Sequence, residues 1–301
     1  MSITESHLSR PQYFEYTQAA NVKMPAILPH YMDSQENGIV PIDLSVMLET
    51  SYPATSPACL ASFINLSTGQ NINCQANATS NLLIVISGSV TVSSKQSGCC
   101  QMGQWDIITI PYTENIMIYA AEPAKLYWVN DAPLMSYLGA TPTTRIFSSS
   151  IYRRAEIEEL VKQFNSDFNA KKRNRNGILL SNEDCPLTKT VTPTLWSLFN
   201  ITAKQSIQLP HQHNSVALDL CLYAPDKSKG RVYTIMSKTL DDNGQHVNPV
   251  IMQWESGKAF ITPPGWWHSH VNETDEDAIV FPVQDAGIHT YFRTLFIKFY
   301  A

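Results

Sequence analysis

Five of the eight histidines fall between positions 211 and 270: His211, His213, His246, His268 and His270. The first pair stands in Pro210-His211-Gln212-His213. Residues i and i+2 of a strand point to one face, so both imidazoles can reach a single metal ion. Neutral imidazole suits Fe, Zn, Cu and Ni. A third ring is offered downstream by Gly257-Lys258-Ala259-Phe260-Ile261-Thr262-Pro263-Pro264-Gly265-Trp266-Trp267-His268-Ser269-His270-Val271-Asn272. There Gly257 suits a turn before a strand, Pro263 ends the ladder, and Gly265 permits the tight bend that aims His268 inward. Three protein ligands would leave a coordination position open for water or another small molecule.

This downstream segment satisfies every fixed position of the second cupin motif, G-x5-P-x-G-x2-H-x3-N. The first cupin motif, G-x5-H-x-H-x3,4-E-x6-G, is matched only in part. His211 and His213 fit, but Gln205 stands at the leading glycine, and Ala217 and Leu218 stand where the glutamate is expected. Asp219 follows one place later, on the same strand face as His213 and Ala217, and could contribute a carboxylate if the strand bends.

The resemblance narrows further over about 75 residues, from His211 to Asp285. Pro210-His211-Gln212-His213-Asn214-Ser215-Val216-Ala217-Leu218 resembles the H-R-H-T-x-x-A-L segment of gentisate 1,2-dioxygenases. Thr262-Pro263-Pro264-Gly265-Trp266-Trp267-His268-Ser269-His270 is similar to their T-P-x-W-x-W-H-D-H segment. Those bicupins use Fe(II) and three histidines to open an aromatic ring with O2. The resemblance therefore implies an Fe(II) site at His211, His213 and His268. Three departures stand beside it. Asp219 replaces the family's arginine after A-L, Gly265-Trp266-Trp267 replaces W-x-W, and the metal motifs lie in the C-terminal barrel rather than the N-terminal one.

Other residues are candidates by position. His270 is read as an acid or base next to the metal, and Asp285 as a group orienting the site. Arg231, Tyr233 and Arg293 are the cationic or phenolic groups nearest the motif strands, able to bind a substrate carboxylate. Trp266 and Trp267 line the cavity or fill the core. His246 lies in hairpin-turn text and is expected to be exposed. His289 reads as a loop residue at the barrel mouth, and His7 and His30 belong to an irregular arm.

The elements that must hold these groups are mostly strands. Residues 1–45 carry Pro11, Pro25, Pro29 and Pro41 and read as an irregular arm. Residues 46–142 show short β-branched runs, such as Leu82–Ile86 and Ile107–Ile110, that indicate a barrel or sandwich. Gln75, Asn77 and Asn115 stand there in place of imidazoles, so this barrel reads as a degenerate, metal-free cupin. Residues 143–192 form a connector. Ile157, Leu160, Val161 and Phe164 recur at helical spacing within it, and Lys171–Gly177 reads as a polar, basic linker able to bind phosphate or carboxylate. Residues 193–301 return to strand text and carry the metal motifs. The fold class expected is all-β, with two jelly-roll barrels joined by a helical connector.

Composition bounds the rest. The 301 residues are 44% hydrophobic and 16% charged, with a net charge of −5. Such a chain is globular and lacks the basic excess of a nucleic-acid binder. No apolar run approaches the roughly 20 residues of a membrane span, and the start lacks a secretion signal, so a cytoplasmic location is expected. The six cysteines have neither metal-type nor disulfide-scaffold spacing and read as free thiols. Three functions fit. One is an Fe(II)-dependent dioxygenase acting on a small aromatic or dicarbonyl acid. The second is an isomerase or hydrolase using Zn or Mn, with Ni a further candidate metal. The third is a small-molecule-binding cupin without chemistry. A homodimer is expected, because an arm of this kind can cover a neighbour's sheet edges.

Overall fold

The computed structural model describes residues 9–20, 22–113, 115–166, 175–225 and 230–300. The fold is all-β, two antiparallel barrels each made of two facing sheets. In the N-terminal barrel a six-stranded sheet runs in the order Gly38–Pro41, Leu60–Leu66, Ala124–Asn130, Ser80–Ser87, Ile107–Pro111 and Ser150–Tyr152. It faces a four-stranded sheet of Asn71–Cys74, Ile116–Tyr119, Val90–Ser94 and Gly98–Met102. The C-terminal barrel repeats the plan. Its six-stranded sheet is Tyr31–Met32, Ala259–Thr262, Ala217–Tyr223, Ala278–Gln284, Trp196–Thr202 and Asn176–Leu180. Opposite lies the sheet of Val250–Gln253, Val232–Ser237, Trp267–Asn272, His211–His213 and Ile297–Phe299, with Ser206–Ile207 added beside Trp267–Asn272.

The two six-stranded sheets bury their outer faces against each other. One apolar cluster unites Phe63, Leu82, Ile84, Ile107 and Tyr127 with Phe199, Leu218, Leu220, Ile261 and Phe281. The alternate residues of the same strands, Leu83, Val85, Ile108 and Ile110, turn inward and fill the N-terminal barrel. Antiparallel sheets commonly leave one face to water and then alternate in polarity. Here both faces are buried, which is why Leu82–Ile86 is an unbroken apolar run. The C-terminal sheet uses the same period with a different outcome. Leu218, Leu220 and Leu222 enter the shared core, while Ala217, Asp219 and Cys221 face the barrel interior. Part of that interior is filled by Cys221, Met236, Trp254 and Phe260. The remainder is lined by polar side chains and the histidines.

Several expectations are corrected. The arm is not wholly irregular: Tyr31–Met32 pairs with Ala259–Phe260 of the far barrel and Gly38–Pro41 pairs with Ser62–Asn65. Strands of two and four residues are too short to leave a periodic signal. The connector also supplies edge strands to both barrels, through Ser150–Tyr152 and Asn176–Leu180. The linker text thus ends in a strand. Gly177 is suited to it, since a Cβ there would meet Leu198 Cδ1 at 3.0 Å. Residues 171–174 of that basic stretch lie outside the described residues, as does His7. The connector helix, Arg154–Ser166, buries Ile157 but leaves Leu160 and Phe164 half exposed, so its apolar stripe is only partly used. All six cysteines are free thiols. Among the described residues no helix is long and apolar enough to cross a membrane.

Candidate metal centre

His211 and His268 are direct cross-strand partners, and His213 follows on the face of His211. The bend before His268 is built as its glycine implies. Gly265 takes φ +74° and donates its N–H to His213 O at 2.7 Å, tying the two histidine segments together. Gln205, where the first motif has glycine, adopts a left-handed φ of +51°. The ligand atoms of His211, His213 and His268 all lie within 4.8 Å of one another. Bonds of 2.0–2.1 Å to one ion bring its ligand atoms to about 3 Å of one another. His213 Nδ1 faces Ser215 O at 2.9 Å and His268 Nδ1 faces Trp266 O at 3.0 Å. With the proton on Nδ1 in each ring, Nε2 is left as the lone pair for a metal.

Burial, aided by neighbouring imidazoles and Arg175, holds His211 and His268 well below the usual histidine range. Burial likewise pushes His213 down to about 4 and His270 down to about 3. The rings are therefore neutral near pH 7, the form that ligates metal.

The histidines line a cavity of about 120 Å³ together with Arg175, Trp196, Asn200, Gln208, Asp219, Gln284 and Phe299. This volume is somewhat below the roughly 150 Å³ of an apolar cavity that holds benzene, so the space suits a small molecule. Arg175 is the cation of the site. Its Nη2 donates to Leu209 O at 2.7 Å and lies against His211 Nδ1, and its guanidinium stacks over the Phe299 ring at 4.9 Å. Its buried Nε has no hydrogen-bond partner among the described residues. Burial lowers its pKa to about 10, which leaves it charged at neutral pH.

The other sequence-derived candidates divide. His270 is buried in the cavity wall, its Nδ1 2.9 Å from Thr234 Oγ1 and its ring 5.4 Å from that of Trp254. Asp219 also faces the cavity, but it does not join the three-imidazole group. Tyr233 and Arg231 are outside. Tyr233 donates to Glu273 Oε1 at 3.0 Å, and exposed Arg231 bonds Glu273 O. Period two explains it, because Val232 and Thr234 take the inward positions of that strand. Arg293 is exposed and stacks on Tyr291. Asp285 is buried outside the cavity lining, where its Oδ1 accepts Val216 N–H at 2.9 Å and so positions the chain just after His213. Burial pushes its carboxyl up to about 7.

Trp266 and Trp267 are half-buried away from the cavity, and Trp196 is the indole that lines it. His246 is half-buried rather than exposed, bridging Ser237 Oγ at 2.8 Å and Ser269 Oγ at 3.0 Å. His289 sits in the helix Ala286–Tyr291 rather than a loop. In the N-terminal barrel two of the three amides expected in place of imidazoles, Gln75 and Asn115, pair with each other, and Asn73 joins them. Asn73 and Gln75 donate to Asn115 Oδ1 at 2.6 and 2.8 Å, while Asn77 donates to Ala140 O.

No family model matches the chain, and no curated protein matches it by sequence. Solved structures do share its fold. Salicylate 1,2-dioxygenase from Pseudaminobacter salicylatoxidans superposes with a TM-score of 0.70 at 14% identity, over 95% of this chain and 92% of that one. The same enzyme as an adduct with gentisate gives 0.69 at 14% identity, over 99% and 97%. A cupin 2 conserved barrel domain protein from Leptotrichia buccalis gives 0.51 at 16% identity, over 87% and 98%. The architecture is thus the bicupin fold across nearly the whole chain.

Proposed function

We propose that this protein is a mononuclear non-haem Fe(II)-dependent dioxygenase acting on a small aromatic or dicarbonyl acid, with His211, His213 and His268 holding the metal. The observation that carries this reading is the convergence of three neutral imidazoles, two buried and one half-buried, on a cavity sized for a small molecule. The fold shared with salicylate 1,2-dioxygenase supports the oxygenase reading over hydrolysis. The donor set fits iron, since three neutral nitrogens leave room for an acid and O2 together. When bound, Fe(II) supplies the electron exchange that a direct encounter of O2 with an organic acid lacks.

The protein's own groups do the rest. Arg175, not Arg231 or Tyr233, is the cation aimed at the cavity, and we assign it the substrate carboxylate through its forked donors. Phe299 packs that guanidinium in place. Trp196, Leu198 and Phe299 exclude water. His270, anchored through Nδ1 to Thr234, leaves Nε2 to hold or pass a proton next to the bound acid. Asp285 acts at one remove, by holding the backbone after His213.

The test is to purify the protein without oxygen, measure its metal, load Fe(II) and follow O2 uptake with a panel of ring and β-dicarbonyl acids. Uptake with at least one acid is expected; zinc as native metal and no uptake after iron loading contradicts the proposal. Arg175→Met should raise the Kd for the active acid about 10- to 100-fold by calorimetry, the loss of a charge-assisted pair, while metal content stays within about twofold. An unchanged Kd would return the carboxylate role to another group.

We also propose a homodimer. Tyr13, Phe14, Tyr16 and Val22 are 70–89% exposed on the arm, and a second copy of the chain is the surface they would cover. Light scattering at micromolar concentration should give twice the monomer mass, and a monomer alone would refute it.

A further inference from the structure

We infer that the C-terminal residues 294–300 are a clamp that positions the strand carrying His211 and His213, so that docking of the C terminus and occupancy of the metal site strengthen each other. This deepens the reading above and rests on it for the metal alone.

The pairing argues it. The short strand His211–His213 lies between Trp267–Asn272 and Ile297–Phe299. With the strand of the third ligand it shares one register position, His211 opposite His268. With the C-terminal strand it shares three, His211 opposite Phe299, Gln212 opposite Lys298 and His213 opposite Ile297. Both flanks of the ligand strand are fastened to the same segment. Tyr300 donates its N–H to Pro210 O at 2.9 Å, just before His211. Asn214, just after His213, donates from Nδ2 to Thr294 O at 2.9 Å, and its Oδ1 accepts the Phe296 N–H at 2.9 Å. The Phe299 ring stacks on that of His211, with centroids 5.8 Å apart and planes 10° from parallel. The rotation and height of two ligand rings therefore depend on the last residues of the chain.

The clamp itself is lightly held. Ile297–Phe299 is an edge strand of its sheet and all three of its residues are exposed. Little apolar burial keeps it docked, so it belongs to the parts of a fold that open locally. Its latch is Tyr300. The phenol ring rests on the turn at Gly244, where φ is +76° and a Cβ would collide with the ring. The Tyr300 hydroxyl donates to Asp242 O at 3.3 Å. An ion that needs His211 and His213 in place binds the docked state better than the open one, and so stabilises docking by the factor that docking adds to its affinity. Asn214 and Tyr300 do not line the cavity, so any effect they have on the metal passes through the strand. They are positioning residues.

The experiment follows Co(II) binding to the full-length protein by visible absorption, together with amide hydrogen exchange with and without the metal. Saturating Co(II) should slow exchange across residues 294–300 of the wild type at least about tenfold. Asn214→Ala and Tyr300→Ala should each raise the Co(II) Kd about 10- to 100-fold, the usual cost of losing a group that orients a ligand. The central strand Ala278–Gln284 should keep its wild-type exchange in both. Tyr300→Phe retains the ring and should hold the Kd within about twofold of wild type. Deleting residues 294–301 should quicken exchange at residues 212–214 of the metal-free protein at least about tenfold. Exchange at 294–300 that ignores Co(II), a wild-type Kd in both alanine variants, or a Kd for Tyr300→Phe as poor as that for Tyr300→Ala would each overturn the inference. If the deletion does not fold, metal-free Asn214→Ala takes its place in the exchange comparison. A wild type that takes up no Co(II) would count against the functional reading, and the clamp is then decided by exchange at 212–214 in the metal-free proteins. Tight Co(II) binding that is indifferent to Asn214 and Tyr300 would count against the clamp alone.

Discussion

His268→Ala is expected to strip the metal: iron content after anaerobic loading should fall at least about tenfold and O2 uptake should disappear, because two imidazoles cannot hold the ion tightly. His270→Ala, two residues along the same strand, should behave differently. His270 is also buried in the cavity wall, but the group whose ligand atoms converge is His211, His213 and His268. Its replacement should leave metal content within about twofold and lower turnover roughly 10–100-fold, the usual cost of losing a group that orients or protonates next to a metal. Metal analysis and oxygen-electrode rates on the two variants separate the roles. Equal loss of iron in both would make His270 a ligand and redraw the site.

The second large effect concerns the sheet interface. Phe281 is fully buried among residues of both barrels, in one cluster with Phe63, Tyr127 and Leu218. Phe281→Ala should cost about 3–5 kcal/mol of stability, transfer and cavity terms together. Because the lost contacts span the two sheets, both barrels should unfold in one transition at lower denaturant, followed by tryptophan fluorescence and far-UV circular dichroism together. Two separated transitions, with only the C-terminal one displaced, would show that the barrels do not depend on their shared core.

What the sequence carried of this was decided by spacing. The strands Ala217–Tyr223 and Ala259–Thr262 are legible as apolar runs, to within a residue at each end, because such runs and flanking turn residues recur at fixed lengths. The three histidines were legible because two lie at i and i+2 and the third follows a glycine and proline set that bends the chain in one way. Arg175 was not singled out as the cation of the cavity. It reaches the cavity from the edge strand Asn176–Leu180, whose pairing with Trp196–Thr202 is a long-range event without a local pattern. Tyr233 and Arg231 are near the motif strands in sequence, but the inward positions of that strand belong to Val232 and Thr234. The two short strands of the arm and the burial of His246 likewise depend on partners far along the chain.

One ion held by three rings is the centre of the proposed site. Its most direct measurement is an X-ray structure of crystals grown without oxygen and loaded with Fe(II), using anomalous data at the iron edge. A single anomalous peak per chain is expected, bonded to one nitrogen each of His211, His213 and His268 at about 2.0–2.2 Å, with no peak in the N-terminal barrel near Gln75 and Asn115. A peak that omits any of these three rings, one that recruits Asp219 as a ligand, or two peaks per chain would contradict it.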